Sequence, residues 1–88
     1  MARLVLRPHV TTIPTADGMI LLDQRSGRYW QINLTAAFVA RVLLSGATTE
    51  EATAQLAAQH PTAADRAAQD VAAFIRQMHD ARLAVYQE

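Results

Sequence analysis

The amino-acid sequence predicts an α+β fold in which a small antiparallel sheet precedes three helices. Up to about residue 33, β-branched and aromatic residues are grouped in short runs between turn-forming residues, as is typical of strands joined by hairpins. Beyond that point alanine is abundant, and apolar residues recur at the intervals of amphipathic helices. Sheet and helices therefore occupy separate parts of the chain, which is the pattern of the α+β class.

Three segments of the first part are predicted to form an antiparallel β-meander. Residues 9–13 are rich in β-branched side chains and are flanked by prolines, as is typical of an edge strand or a strand end. Residues 19–23 are a short apolar run that follows an Asp-Gly turn signal. Residues 28–32 form the third predicted strand, after a hairpin loop in which Gly27 can adopt positive φ.

The first predicted helix covers residues 36–44. Either Asn33 or Thr35 can act as its N-cap, because both side chains can accept a hydrogen bond from a free N–H group of the first turn. Gly46 follows the helix and can take the left-handed conformation that often ends helices.

The second and third predicted helices also have recognisable ends. Thr48 and Glu51 have the spacing of a capping box, and the second helix is expected to run from there to about Gln59. A proline then prevents continuation. The third helix is expected to be capped within residues 62–65 and to end near Asp80. The short tail at residues 83–86 is expected to be extended.

Composition restricts the classes of protein to consider. Hydrophobic residues make up 51% of the chain, which is enough for one globular domain over residues 1–88. Eight arginines, with no lysine, balance eight carboxylates, and this absence of basic excess disfavours a DNA-binding protein. The first apolar run is too short for a signal peptide, and no run could span a membrane, so a cytoplasmic protein is expected.

The residues that could carry catalysis or bind metal are few and scattered. The chain has no cysteine, no nucleophile elbow and no glycine-rich phosphate loop. His9, His60 and His79 lie on three different predicted elements, which does not match the spacing of metal ligands. A binding protein without cofactor or metal is therefore expected, rather than an enzyme.

The third strand is the first candidate for a binding surface. Tyr29 and Trp30 are consecutive, so one side chain faces the helices and the other faces outward, and the sequence leaves open which is which. In a meander this strand also has an open edge, which an extended peptide can join through backbone hydrogen bonds. Alternatively, Arg28 or the C-terminal tail covers the edge.

The third helix is the second candidate. Its apolar stripe is most simply the face that packs in the core. The neighbouring residues Ala72 and Ala73 leave the helix surface shallow, so members at the edge of the stripe could also contact a partner. The stripe consists of Val71, Phe74, Ile75 and Met78.

Five short motifs follow one another along the chain. They are Met-Ile-Leu-Leu-Asp at 19–23, Ser-Gly-Arg-Tyr-Trp at 26–30, Ile-Asn at 32–33, Thr-Ala at 35–36, and Leu-Leu-Ser-Gly-Ala-Thr-Thr-Glu-Glu-Ala at 43–52, the turn into the second helix. This ordered series resembles the PqqD-like proteins. Ile32 stands where that family usually has Leu, and Trp30 is bulkier than the residue in many members, which bears on the ligand that fits.

The resemblance implies a winged-helix-like precursor-peptide recognition element. Such domains bind the leader segment of a ribosomally made precursor peptide as an extra strand, between the third strand and the third helix. Carried over to this chain, the implied contact residues are Arg28, Tyr29, Trp30, Gln31 and Ile32 on the strand, and Val71, Phe74, Ile75 and Met78 on the helix.

The resemblance also implies partners. A short chain of this kind is most similar to the leader-binding partner in lasso-peptide biosynthesis, which presents the precursor to a separate cysteine protease before a cyclase closes the ring. One alternative is a PqqD-type peptide chaperone for a radical-SAM enzyme. Another is a winged-helix DNA-binding protein, which is disfavoured because the predicted third helix carries more carboxylates than arginines.

Overall fold

The computed structural model of the protein describes residues 3–87, apart from the side chain of Ala63. Its strands and helices follow one another along the chain in the order that the sequence predicts, with one further strand at each end. The elements are β1 Arg3–Leu6, β2 Val10–Thr15, β3 Gly18–Asp23, β4 Tyr29–Asn33, α1 Leu34–Leu44, α2 Thr49–Gln59, a 3₁₀ helix Pro61–Arg66, α3 Ala67–Asp80 and β5 Ala84–Gln87.

The predicted three-stranded meander is confirmed. β2, β3 and β4 form an antiparallel sheet in that order. The register places Leu21 opposite both Thr12 on β2 and Trp30 on β4. β4 begins and ends one residue later than predicted, so the third strand includes Asn33 and begins after Arg28.

A second sheet of two strands was not predicted. β1 and β5 pair antiparallel, with Leu4 opposite Tyr86 and Leu6 opposite Ala84. The C-terminal tail is therefore a strand, and the N-terminal residues are its partner. Because the two segments lie at opposite ends of the chain, no local pattern indicates that they pair.

The helix ends follow from capping, with one exception. Asn33 caps α1, its side-chain oxygen accepting a hydrogen bond from Ala36 N at 2.8 Å. The capping box of α2 is confirmed, with Thr48 Oγ1 and Glu51 Oε1 accepting reciprocally from the two backbone N–H groups at 3.1 and 2.8 Å. Its two bonds satisfy donors that the first helical turn otherwise leaves free.

The predicted start of the third helix is wrong. Pro61–Arg66 form a 3₁₀ helix, and α3 begins at Ala67 without a side-chain cap. Pro61, whose φ is restricted by its ring, stands at the first position of this tighter turn. The polar residues expected to cap α3 therefore lie one turn before it.

The helices cover one face of the three-stranded sheet, and the hydrophobic core lies between these layers. α3 contributes the face that its apolar spacing predicts, for example Val71 and Met78, which are 0% and 1% exposed. None of the helices within residues 3–87 has both the length and the apolar character needed to cross a membrane. The large fully buried side chains are Leu21, Leu43, Leu56, Met78, Leu83, Val39 and Val71.

Candidate binding edge and groove

β4 has an open edge. β4 is the last strand of the three-stranded sheet, and in the described residues it pairs only with β3. The C-terminal tail pairs with β1 instead and so does not cover β4. A row of backbone N–H and C=O groups is thus available to an added strand.

The hydrogen-bond pattern identifies which groups face outward on this edge. Asp23 N donates to Arg28 O at 2.9 Å, and the register then places Trp30 opposite Leu21. Because bonding alternates along an antiparallel pair, Trp30 bonds to β3, whereas Tyr29 and Gln31 direct their N–H and C=O groups away from it. The open edge therefore offers the backbone of alternate residues.

Trp30 is the aromatic residue on the helix side of the sheet. It is half-buried and packs against the core together with Ile32, whereas the Tyr29 side chain is 63% exposed on the opposite face. The Arg28 guanidinium lies over the Trp30 ring, with its central carbon 5.1 Å from the ring centroid. This cation–π contact orients Arg28 towards the helix side, at the beginning of β4.

The loop before β4 is held by Asp23. Its Oδ1 atom accepts from Arg25 N at 2.9 Å and from Ser26 N at 3.3 Å, and His9 Nε2 lies 3.8 Å away. Partial burial tends to raise the pKa of Asp23, but these backbone hydrogen bonds, the Ser26 hydroxyl and His9 outweigh it and lower the pKa below its usual range. The charged carboxylate thus holds the hairpin that positions Arg28.

A groove adjoins the end of this edge. It has a volume of about 340 Å³ and lies between the β4–α1 junction and α3. Phe74, which is 5% exposed, provides apolar surface, while Arg66, Asp70 and Gln77 supply charged and polar groups. Its complete lining is Asn33, Thr35, Ala36, Val39, Arg66, Asp70, Ala73, Phe74 and Gln77.

The structure distributes the four predicted helix residues over three environments. Phe74 lines the groove. Val71 and Met78 are buried in the core behind it. Ile75 is half-buried and lines a different groove, on the other side of α3. The open edge and the first groove meet at Asn33, which both ends β4 and lines the groove.

Several groove residues were missed by the sequence analysis. These are Arg66, Asp70 and Gln77, whereas Ala73 was already noted as shallow surface that a partner could contact. The four residues are separated by three or four positions, so they form one stripe from the end of the 3₁₀ helix along α3. This stripe is mostly polar and resembles an ordinary solvent-facing surface. The sequence shows that this stripe lies beside the apolar core face of the helix. It does not show which side of the core face is turned towards the sheet.

The histidines do not come together. His9 lies beside Asp23, His60 packs edge-on against Phe38 with ring centroids 5.9 Å apart, and His79 lies 3.5 Å from Asp80. Over residues 3–87, no group of three potential metal-binding side chains forms.

An α+β domain with an open strand edge beside a helix belongs to the class of modules that can bind a peptide by strand addition. This particular chain belongs to the PqqD family, as its motifs predicted. The family model described as coenzyme PQQ synthesis protein D (PqqD) matches residues 18–84.

Two solved structures are similar over almost their whole length. Lasso peptide synthetase B1, complexed with the leader peptide, is 34% identical, with 94% of this chain and 98% of that chain covered and a TM-score of 0.86. TbiB1 in complex with the TbiA(beta) leader peptide is 19% identical, with 90% and 92% covered and a TM-score of 0.80, and at this identity it shows the fold alone. No curated protein matches the sequence.

Proposed function

We propose that this domain binds the leader segment of a ribosomally synthesised precursor peptide as an added strand on β4. It then presents the precursor to a separate maturation protease, as in lasso-peptide biosynthesis. The observation that carries the proposal is the open β4 edge beside a groove, in a chain that is 34% identical to a lasso peptide synthetase B1 complexed with a leader peptide.

Backbone pairing gives the leader its register. The outward groups of Tyr29 and Gln31 bond to alternate leader residues, and each bond contributes about 0.5–1.5 kcal/mol net. A free leader is flexible, and ordering it offsets part of this gain. Backbone bonds alone are therefore insufficient for selective binding, and side-chain contacts must supply the rest.

The groove supplies the side-chain selectivity. An apolar leader residue placed against Phe74 and Ala73 contributes about 1.5–3 kcal/mol gross from burial. Arg66 and Asp70 lie one turn apart in the same groove, so they select for polar leader residues or for charged ones of opposite sign. Val71 and Met78 hold this wall in place from the core.

The beginning of β4 forms the other end of the site. The Arg28 guanidinium, placed over the Trp30 ring, presents a cationic and aromatic surface on the helix side, next to the first outward backbone group at Tyr29. Ile32 continues the apolar side towards the groove. A leader strand running along β4 thus meets this cation–π pair at one end and Phe74 at the other.

The proposed mechanism assigns no chemical step to this domain. A leader fixed as a strand holds the segment that follows it at a defined position, which raises the local concentration of the cleavage site for a bound cysteine protease. A cyclase then acts on the released core peptide. Both enzymes are partners of the domain in this proposal.

A second candidate is a peptide chaperone for a radical-SAM enzyme, which the match to the PqqD family model favours. Leader binding is common to both candidates, so the partner enzyme separates them. Co-purification of the tagged domain with its leader and with each enzyme encoded nearby distinguishes a protease from a radical-SAM partner.

The first experiment is fluorescence anisotropy with a labelled leader taken from a precursor gene adjacent to this one. We expect saturable binding, and no saturation with a scrambled leader of the same composition. Equal binding of both peptides would contradict sequence-selective recognition. Cleavage of the precursor by the neighbouring protease, with and without this domain, then tests presentation.

A further inference from the structure

A second open strand edge lies on the other side of α3. In the part of the chain that the structure describes, β5 pairs only with β1. Arg7 N donates to Leu83 O at 2.9 Å, and the next pair is Leu6 with Ala84. By the alternation of antiparallel bonds, Ala84 and Tyr86 direct their N–H and C=O groups away from β1. Ala84 is only 1% exposed, so Tyr86, which is 40% exposed, provides the accessible part of this edge.

A groove follows this edge, and we call it the β5–α3 groove. One part, of about 490 Å³, is lined by Thr49, Ala72, Ile75, Arg76, His79 and Tyr86. The other part, of about 430 Å³, is lined by Arg7, His79, Asp80, Arg82, Ala84 and Val85. His79 lines both parts, so they adjoin along the strand.

One end of the groove is apolar and held in shape. Tyr86 is 40% exposed, and its hydroxyl lies 3.0 Å from Thr49 Oγ1, which ties β5 to the beginning of α2. Ile75 and Ala72 of α3 face the same space. Fixed aromatic and aliphatic surface of this kind suits the apolar side chains of an added strand.

The charges around the groove are mainly positive. Arg7, Arg76 and Arg82 line it, together with His79, whereas Asp80 is the only carboxylate among the described residues that line it. Asp80 lies 3.5 Å from the His79 ring. Within residues 3–87, the ion pairs involve histidines only, so these arginines keep their charge available for a partner.

The β5–α3 groove is separate from the proposed leader site. Helical residues are about 100° apart, which places Ala72, Ile75, Arg76 and His79 on one side of α3. Asp70, Ala73 and Gln77 lie on the other side. One helix thus separates two strand edges, and a ligand in one groove does not fill the other.

We propose that the β5–α3 groove binds an extended acidic segment of a second protein as an added strand on β5. Acidic side chains of that segment face the three arginines, and intervening apolar side chains face Ile75 and Tyr86. The positive lining favours this occupant over a second copy of this chain, whose net charge is zero. The site does not depend on the proposed leader binding, so either can fail alone.

The test is an NMR titration of the ¹⁵N-labelled full chain with a blocked peptide of alternating glutamate and valine. A peptide in which lysine replaces glutamate is the control. We expect saturable amide shifts at Ala84, Tyr86 and the C-terminal half of α3, and none with the lysine peptide. Arg76→Glu should weaken binding about tenfold, whereas Arg41→Glu on α1, an exposed arginine outside the groove, should leave it unchanged.

Several outcomes would overturn the proposal. Shifts centred on Gln31 and Asn33 would place the peptide on β4. Equal binding of the lysine peptide would mean that the positive charges of the groove do not select its ligand. The absence of saturable shifts at about millimolar peptide, where even weak binding is measurable, would exclude the site. Concentration-dependent dimerisation that Arg76→Glu abolishes would assign the edge to a second copy.

Discussion

At the scale of single residues, Gln31 connects the geometry of β4 to binding. Its backbone groups point to the open edge and its side chain is exposed, so neither contributes to pairing with β3. Ile32, the next residue, has the opposite orientation and bonds to β3 opposite Met19. A change in the backbone of Gln31 therefore affects binding, whereas the same change at Ile32 affects folding.

We expect Gln31→Pro to abolish leader binding while the domain stays folded, because proline removes an N–H that only an added strand uses. Ile32→Pro is the matched control, and it should unfold or strongly destabilise the sheet by removing a bond to β3. Leader titration and thermal melts on both variants make the comparison. Unchanged leader affinity in folded Gln31→Pro would exclude pairing through that group.

Gly18 is required by a close backbone contact. Its φ is +152°, and a Cβ built there would lie 1.9 Å from Ile32 O on β4. We expect Gly18→Ala to displace the end of β4 and to cost more than the roughly 1–2 kcal/mol of left-handed strain alone. Gly27→Ala, at φ +76° with open space around the added atom, is the control for strain without contact. Equal losses in unfolding free energy would show that the contact relaxes freely.

At the scale of elements, α3 has three distinct faces. Its buried face includes Val71 and Met78, its flank towards β4 includes Ala73, and its flank towards β5 includes Ala72. The apolar spacing of the sequence correctly predicted the buried face. The two flanks are hard to tell apart in sequence, because each contains one exposed alanine, Ala72 or Ala73, with charged and polar residues one helical turn away.

The two alanines allow a matched prediction. Ala73→Glu should weaken leader binding, because it places a charge beside Phe74 in the groove, whereas Ala72→Glu should not. Both residues are exposed, so each change should alter stability by no more than about 0.5 kcal/mol. Leader affinity and melting temperature are measured for both. If the two variants bind the leader equally well, the groove beside Phe74 is not the contact surface.

The start of α2 was predictable because two side chains determine it, Thr48 and Glu51 capping the helix through bonds within three residues of sequence. The start of α1 was predicted only in part, because Asn33 was one of two possible caps and the helix begins at Leu34, two residues before the predicted start. The start of α3 was not predictable in the same way. There the chain forms a 3₁₀ helix over Pro61–Arg66, and none of its polar side chains caps the α-helix.

At the scale of the whole molecule, the charge balance separates peptide binding from DNA binding. The net charge is zero, and the proposed leader groove combines Arg66 with Asp70 around apolar surface. Phosphate-dominated binding weakens steeply with salt, whereas backbone pairing and apolar burial do not.

We therefore expect leader affinity to change by less than about tenfold between 50 and 200 mM salt, against the roughly 10³–10⁵-fold loss typical of multiple phosphate contacts. Anisotropy titrations at several salt concentrations measure how affinity depends on salt, with a labelled DNA duplex as the comparison ligand. If leader affinity fell with salt as steeply as affinity for the duplex, charge rather than the strand edge and groove would govern binding.

The sequence by itself determined the order of the strands and helices of the meander and bundle, the buried face of α3 and the family. These properties follow from local spacing, caps and short motifs, which act between residues close in the chain. Tertiary structure alone decided the pairing of β1 with β5, the orientation of Trp30 towards the helices and the separation of the two grooves flanking α3. Each of these depends on contacts between segments far apart in sequence, for which no local periodicity carries a signal.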